Sequence, residues 1–480
     1  MAKLLGIDVG TSGAKAVLID ESGRVLAQGS AEYPVSVPQP LWSEQNPADW
    51  VRGVQDCLRQ IGEPRPDAIG LTGQMHGAVF LDDRNEVIRP AILWNDQRTA
   101  AECEEIDRRA GAERVRSITR NPPLTGFQAP KVMWLRNHEP ESFALLRKVL
   151  LPKDYLRLVL SGEMATEVSD ASGTGLFDVP ARTWSNELVS ALELNPDFFP
   201  RSAESFEITG KTLGGPNLAE RIPIAGGGGD QAAGAVGTGA VVPGVVSMSL
   251  GTSGVAFTSL EAPGYDPGGK AHTFCHANGA WHAMGVMLSC GGALRWYRDT
   301  FGGGQSYNEL AAMAAQTPPG ADGLSFLPYL AGERCPHNDP LARAAFVGAT
   351  LAHGPGHFAR AVFEGATFGL ADALGVLQSL GAKPEELRVT GGGAKGRFWV
   401  QMLADVTGIR CVLLASDEGP AFGAALLGGV GIGLWPDTAA ACRQTIRTTE
   451  RIEPSGADYS TAYDRFRRLY PRLRDESRML

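Results

Sequence analysis

Leu4-Leu5-Gly6-Ile7-Asp8-Val9-Gly10-Thr11-Ser12-Gly13 opens the chain, and its last four residues return at Gly251-Thr252-Ser253-Gly254 behind Val245-Val246-Ser247-Met248-Ser249-Leu250. Each copy runs from an apolar stretch through the turn into a second one, Ala14 to Ile19 and Val255-Ala256-Phe257. Both read as β-hairpins, and two hairpins of one design half a chain apart predict a duplicated fold. A glycine-flanked hydroxyl turn leaves successive backbone N–H groups pointing into a concave anion site. Two such turns face to face could hold a nucleotide's phosphates from both sides. The tetrapeptide is also an ordinary hairpin turn; its recurrence in matching strand contexts is what favours phosphate binding. Asp8 in the first copy corresponds to Ser249 in the second.

Outward from the first hairpin, strands are expected at 3–9, 14–20 and 24–30, then a helix over 47–61 with Pro47 in its first turn and Trp50, Val54, Cys57, Leu58 and Ile61 on one face. Further strands at 68–72, 79–81 and 91–94 complete a ribonuclease-H-like α/β layout. Residues 100–220 read as an α-rich insertion, with helical pieces at 131–136 and 154–160. The second half restarts near Pro243 with its own hairpin, followed by helices around 288–298 and 358–380 and a strand, turn and helix over 387–406. Two domains follow, 1–241 and 242–480.

The 480 residues allow two substantial cores, and a formal charge of −9 argues against nucleic-acid or membrane-surface partners. Seven cysteines without a Cys-x-x-Cys pair read as free thiols in a reducing compartment. Asp8 interrupts the apolar region that a signal peptide would need, so a cytoplasmic location is expected.

Chemistry concentrates in a few places. A carboxylate beside phosphates repels them unless a divalent cation intervenes, so Asp8 suits a magnesium anchor; the bland alternative is a solvated strand-end aspartate. Gly226-Gly227-Gly228-Gly229 leads to Asp230-Gln231 where a helix begins. Asp230 could cap that helix, accept the proton of a substrate hydroxyl attacking phosphorus, or do both. Gly391-Gly392-Gly393 between a strand and a helix allows close backbone approach to a ribose or phosphate, without Rossmann spacing. Gln74 and His76 at one strand end and Trp94 at another describe a polyol pocket, hydrogen-bonding groups beside an aromatic wall. His272 and His276 are zinc-capable residues that strand alternation explains more simply.

With these motifs placed, the chain resembles the FGGY carbohydrate kinases, and within them the xylulokinases, over nearly its whole length. The carriers are Gly6 to Gly13, Pro40-Leu41-Trp42-Ser43-Glu44-Gln45, Gly73 to Gly77, Pro90 to Asp96, Leu150-Leu151-Pro152-Lys153-Asp154-Tyr155, Ser249 to Gly254 and Pro328 to Arg334. The resemblance implies an actin-like ATPase fold of two ribonuclease-H-like domains, with ATP, Mg²⁺ and a sugar in the cleft between them. It implies Asp230 as catalytic base and Asp8 as an acid near magnesium. It places Met75 and His76 at the ketose, and Thr252, Gly391, Gly392 and Gly393 at the nucleotide; with the neighbouring motif residues, the expected ketose site adds Gln74, Trp94, Asp230 and Gln231, and the expected nucleotide site adds Thr11, Ser12, Gly251, Ser253 and Arg397. Glycerol kinases of the family carry an Arg-Glu pair where this chain has Met75-His76, so the implied substrate is D-xylulose, phosphorylated at its C5 hydroxyl. Gln231, where Asn is frequent, and Cys335, where Thr is common, are departures. The alternative is the same chemistry on another ketose or polyol; a homodimer is compatible. Actin-like folds also serve filaments and chaperones, but Asp230 behind its glycine run and the Gln74-to-Trp94 pocket favour a small-molecule kinase.

Overall fold

The computed structural model describes residues 2–62, 64–215, 217–415 and 419–478. The N-terminal meander forms β1 (Lys3–Val9), β2 (Gly13–Asp20) and β3 (Val25–Glu32). Helix α1 (Pro47–Ile61) matches its expected bounds: the Asn46 side chain accepts from Ala48 N at 3.0 Å, Pro47 fits the first turn, and Gly62 ends the helix at φ 82°. Its apolar stripe of Trp50, Val54, Cys57 and Leu58 is buried in one core with Leu5, Ile7 and Val9 of β1.

The first sheet has seven strands. β4 (Ala68–Gly73) lies parallel to β1; β5 (Ile208–Gly215) and β6 (Leu218–Ala225) extend the far side, and the short β7 (Gly228–Gly229) returns beside β4. Two expected strands lie elsewhere: Val79–Leu81 pairs with Lys148–Leu150, and Ala91–Ile92 with Glu44–Gln45, both in separate two-stranded sheets. Across the 100–220 region, helices Gln128–His138 and Pro152–Ser161 extend the two pieces expected there.

Helix α2 (Asp230–Thr238) leaves the first sheet, and a second seven-stranded sheet follows. It orders β10 (His272–Cys275), β11 (Trp281–Met287), β9 (Gly254–Leu260), β8 (Val245–Leu250), β12 (Glu386–Thr390), β13 (Arg410–Leu414) and β14 (Thr448–Ile452) side by side. Its centre repeats the first sheet: β8 is antiparallel to β9 and parallel to β12, as β1 is to β2 and β4. Helices α3 (Gly291–Phe301), α4 (Pro355–Ser379) and α5 (Arg397–Thr407) pack on it.

One helix crosses over. α6 (Gly419–Gly431) comes after the second sheet's core strands yet lies on the first sheet, sharing a buried cluster with Leu4, Val17, Ile19 and Ala68. A Cβ on Gly6 of β1 would stand 1.7 Å from Ala421 O, and one on Gly70 of β4 1.7 Å from Ala424 O, so both strands need glycine there. Among the described residues no helix is long and apolar enough to cross a membrane, and all seven cysteines are free.

Candidate active site

Asp230 is placed by backbone crowding. β6 pairs with β4 at Ile224–Ile69 and β7 at Gly228–Thr72, so one extra residue bulges between them. Gly227 takes the bulge at φ 79°, where an added Cβ would stand 1.8 Å from Leu71 O. A Cβ on Gly226 would meet Glu204 O at 2.6 Å, and one on Gly229 the Met75 side chain at 2.8 Å. The glycine run thus seats the chain against protein, where the sequence suggested approach to a ligand. Gly229 occupies the cap position and Asp230 the first helical turn, so Asp230 is not the cap. Burial lifts its carboxyl to about 6, against hydrogen bonds from Gln231 that pull it down.

Asp8 ends β1 on the α6 face, opposite Lys15 of β2 and beside Thr72 of β4. Its Oδ1 is buried with no hydrogen-bond partner among the described residues. Burial, and then the charge of Asp230, raise its carboxyl to about 7, while Lys15 acts in the opposite sense. Two carboxylates that destabilise each other's charge are relieved by a shared proton or a cation between them. Between the two halves a cavity of about 210 Å³ collects Asp230 and Gln231 from one side and Ser249, Thr390 and Gly391 from the other.

The polyol side is built on strained backbone. His76 adopts φ 68°, rare for a residue with a side chain. Its Nδ1 lies 2.8 Å from Gly173 O, which can only accept, so Nδ1 carries the proton and Nε2 is left as an acceptor. Burial, followed by the nearby Lys131, lowers the imidazole to about 3, and the ring is neutral. Lys131 Nζ donates to His76 O at 2.7 Å and to Gly126 O at 2.6 Å. A Cβ on Gly173 would sit 2.3 Å from the imidazole, so this glycine makes room for the ring. Phe127 flanks it at 4.9 Å and Phe274, from the second half, at 6.2 Å. Met75 lies against Gly229, which brings Met75 and His76 to the backbone that carries Asp230.

Trp94 is 44% exposed, and its indole N–H donates to Thr11 Oγ1 at 2.9 Å. Gln74 differs from its expected role. It is buried, with its amide donating to Gly10 O at 3.3 Å and Gln45 Oε1 at 2.9 Å and accepting from Thr11 Oγ1 at 3.2 Å. It braces the first turn and has no free group aimed at a sugar. That turn also uses one of its own donors internally, Gly10 N to Gly13 O at 3.0 Å, with Ser12 exposed at its tip.

A larger cavity of about 660 Å³ opens in the second half, lined by Gly251, Thr252, Arg295, Asn308, Gly392 and Lys395 among others. Ser253 stands in the same turn, outside the walls of that cavity. Gly391, at φ 81°, and Gly393 pack on Leu250, whereas a Cβ on Gly392 would meet nothing within 4 Å. Arg397 is turned away: it pairs with Glu450 at 2.9 Å and is not part of this cavity. Arg295 and Lys395 are cationic side chains that do line it. His272 and His276 are spoken for within the protein: His272 Nδ1 meets Asn121 Oδ1 at 2.9 Å, and His276 Nε2 meets Ala240 O at 3.1 Å. Lys15, Phe127, Gly173, Arg295 and Asn308 are absent from the sequence-derived set; only Lys15 was within reach, through hairpin register.

Residues 3–237 match the FGGY family of carbohydrate kinases, N-terminal domain, and residues 246–432 its C-terminal domain. The chain is an FGGY carbohydrate kinase. This FGGY kinase is 45% identical over 434 residues to the xylulose kinase of Escherichia coli strain K12, covering 88% of this chain and 89% of that one. It is 44% identical over 442 residues to the xylulose kinase of Klebsiella pneumoniae, covering 89% and 90%. Among solved structures, a xyloylose kinase from Brucella ovis superposes with a TM-score of 0.93 at 39% identity, covering 98% of this chain and 99% of that one. The duplication expected from the two hairpins and the actin-like fold implied by the family resemblance are the architecture of these kinases.

Proposed function

We propose that the protein transfers the γ-phosphoryl group of Mg-ATP to the C5 hydroxyl of D-xylulose, giving D-xylulose 5-phosphate and ADP. The observation that carries this reading is Asp230, a half-buried carboxylate one residue after Gly229, which packs on Met75, and sharing a cavity with the second half's Ser249, Thr390 and Gly391. The hydroxyl oxygen attacks phosphorus as Asp230 takes its proton, and the bond to the β–γ bridging oxygen breaks with its electron pair leaving on ADP. A carboxyl near 6 is ionised at neutral pH and still basic enough for that task. Residues 1–241 supply base and sugar site, and residues 242–480 the nucleotide site.

His76 Nε2 accepts one sugar hydroxyl, Met75 and Trp94 cover the carbon chain, and Gln231 extends the polar rim beside the base. Gly251, Thr252 and Gly392 line the route for phosphates and ribose, with Arg295 and Lys395 as charge partners. The unpartnered Asp8 Oδ1 facing Asp230's charge fits a divalent cation. Magnesium held there would neutralise the phosphate oxygens as charge develops on them. Free thiols and ATP dependence fit a cytoplasmic enzyme.

ATP consumption with D-xylulose, D-ribulose, L-ribulose, gluconate and glycerol tests the substrate. D-xylulose should show the highest kcat/KM; a higher value for any other polyol overturns the substrate assignment while leaving the kinase intact. Asp8→Asn should raise the magnesium concentration needed for half-maximal rate, and an unchanged titration would make Asp8 structural.

A further inference from the structure

Helix Pro152–Ser161 carries Lys153, Asp154 and Arg157 into the protein interior, and the short helical turn Val168–Ala171 meets them there with Ser169 and Asp170. Each of these side chains is fully or almost fully buried, as is that of Glu167. Lys153 Nζ stands 2.8 Å from Asp154 Oδ1, 3.4 Å from Glu167 Oε1 and 3.3 Å from Asp170 Oδ2. Buried ion clusters add little net stability, because desolvating the charges costs about as much as their attraction returns. A cluster of this size therefore calls for a reason other than holding the fold together.

Its hydrogen bonds converge on one segment. Glu167 accepts from Ser169 Oγ at 3.0 Å, which orients the hydroxyl so that its lone pair accepts Gly229 N–H at 3.1 Å. Arg157, one turn beyond Lys153 on the same helix face, donates to Ala225 O at 3.0 Å and Gly226 O at 2.7 Å, and also to the Thr209 hydroxyl. Gly226 N donates to Glu207 O at 2.8 Å, and Gly227 N to Ser205 O at 2.7 Å. Ser205 Oγ in turn donates to Glu167 Oε2 at 2.7 Å. The bulged run from Ala225 to Gly229 is thus gripped at both ends by side chains of one buried network, and the next residue is Asp230.

We propose that Ser169 and Arg157 are positioning residues for Asp230: the Lys153–Glu167–Ser169 relay and the Arg157 fork fix the backbone that aims the base. This inference rests on Asp230 being the base. Neither residue touches the cleft cavity, so each acts through the backbone and not on substrate. Misplacing a reacting group by an ångström costs on the order of a hundredfold in rate, so the effect belongs in turnover.

The test compares wild type, Ser169→Ala, Ser169→Thr, Arg157→Lys and Asp230→Ala in steady state with D-xylulose and ATP. Rates are referred to folded protein by thermal melt and by binding of a non-hydrolysable ATP analogue. Ser169→Ala is expected to lower kcat by about tenfold to a hundredfold with both KM values within about twofold, and Ser169→Thr, which keeps the acceptor, to recover most of the loss. Arg157→Lys keeps the charge but replaces a planar guanidinium that reaches Thr209, Ala225 O and Gly226 O from two separate nitrogens with a single ammonium, and is expected to behave like Ser169→Ala. Folded Ser169→Ala and Arg157→Lys with wild-type kcat, or with losses confined to KM, overturn the inference. If Ser169→Ala does not fold, Arg157→Lys decides by the same criterion. Asp230→Ala separates the two claims: near-normal turnover there removes the base itself, whereas a dead Asp230→Ala beside a fully active Ser169→Ala removes only the positioning role.

Discussion

The two Gly-Thr-Ser-Gly turns have the same four residues and differ by one step of register. In the first, Val9 pairs with Ala14, so the turn spans four residues and Lys15 arrives opposite Asp8. In the second, Leu250 pairs with Gly254, three residues span the turn, and Val255 arrives opposite Ser249. A one-residue slip exchanges the face of every side chain after it, and here it decides whether a charged pair forms. The supports differ as well. The first turn is held by side chains, with Tyr33 OH donating to Gly10 O at 2.7 Å and Gln45 Nε2 to Thr11 O at 2.7 Å. The second is held by the start of α3, where Gly291 N donates to Gly251 O at 2.8 Å and Cys290 N to Thr252 O at 3.0 Å. A duplicated motif has diverged into a side that carries a buried carboxylate, the one proposed to serve the chemistry, and a neutral side that opens on the 660 Å³ cavity.

Exchanging properties between the sides tests that division. Asp230→Ala should bring the largest change, a kcat loss of at least about a hundredfold with nucleotide affinity retained, since general bases contribute roughly 10² to 10⁴. Calorimetry with an ATP analogue alongside the rate assay checks both halves of the statement. The proposed base also makes kcat/KM fall with acidity: the ionised carboxylate is the active form, so kcat/KM should decline about tenfold per unit as pH drops below about 6. A flat profile from pH 7 to 5 would contradict it. His76→Ala, still on the chemical side, should cost about 1–3 kcal/mol in kcat/KM for D-xylulose while the KM for ATP stays put. Ser249→Asp carries the first turn's charge into the second without a lysine opposite. It should raise the KM for ATP about tenfold, a cost of ~1.4 kcal/mol, and leave the ketose KM nearly unchanged.

Both hairpins, helix 47–61 and the two glycine clusters were legible in the sequence because each is written locally, in alternation, in a 3.6-residue stripe or in a cap. The strands at 79–81 and 91–94 were legible as strands but not in their pairing, because a short apolar run does not say which edge it joins. Asp8, His76 and Asp230 stand out by residue type and turn context and Met75 through the family resemblance; in the structure Asp8 feels the charge of Asp230, and Met75 packs on Gly229 beside it. The bracing contacts of Gln74 are not legible in the sequence, because a strand-end amide serves a turn as readily as a sugar and its partners Gly10 and Gln45 are distant in sequence. Gly173 could not be read at all. Its reason is the His76 ring, 97 positions away in sequence. The glycines at 226, 227 and 229 were noticed for openness and prove to be sites of contact.

Helix α6 gives the order of the chain a bearing on how the protein is made. Gly6 and Gly70 present a groove whose filling carbonyls belong to Ala421 and Ala424, so during synthesis the N-terminal sheet stands with that face only partly covered, by Ala232 and Val236 of α2. That face is completed only once residue 431 has been made. A polypeptide cut short anywhere before α6 leaves the catalytic half without one of its layers, though the sequence of that half is intact.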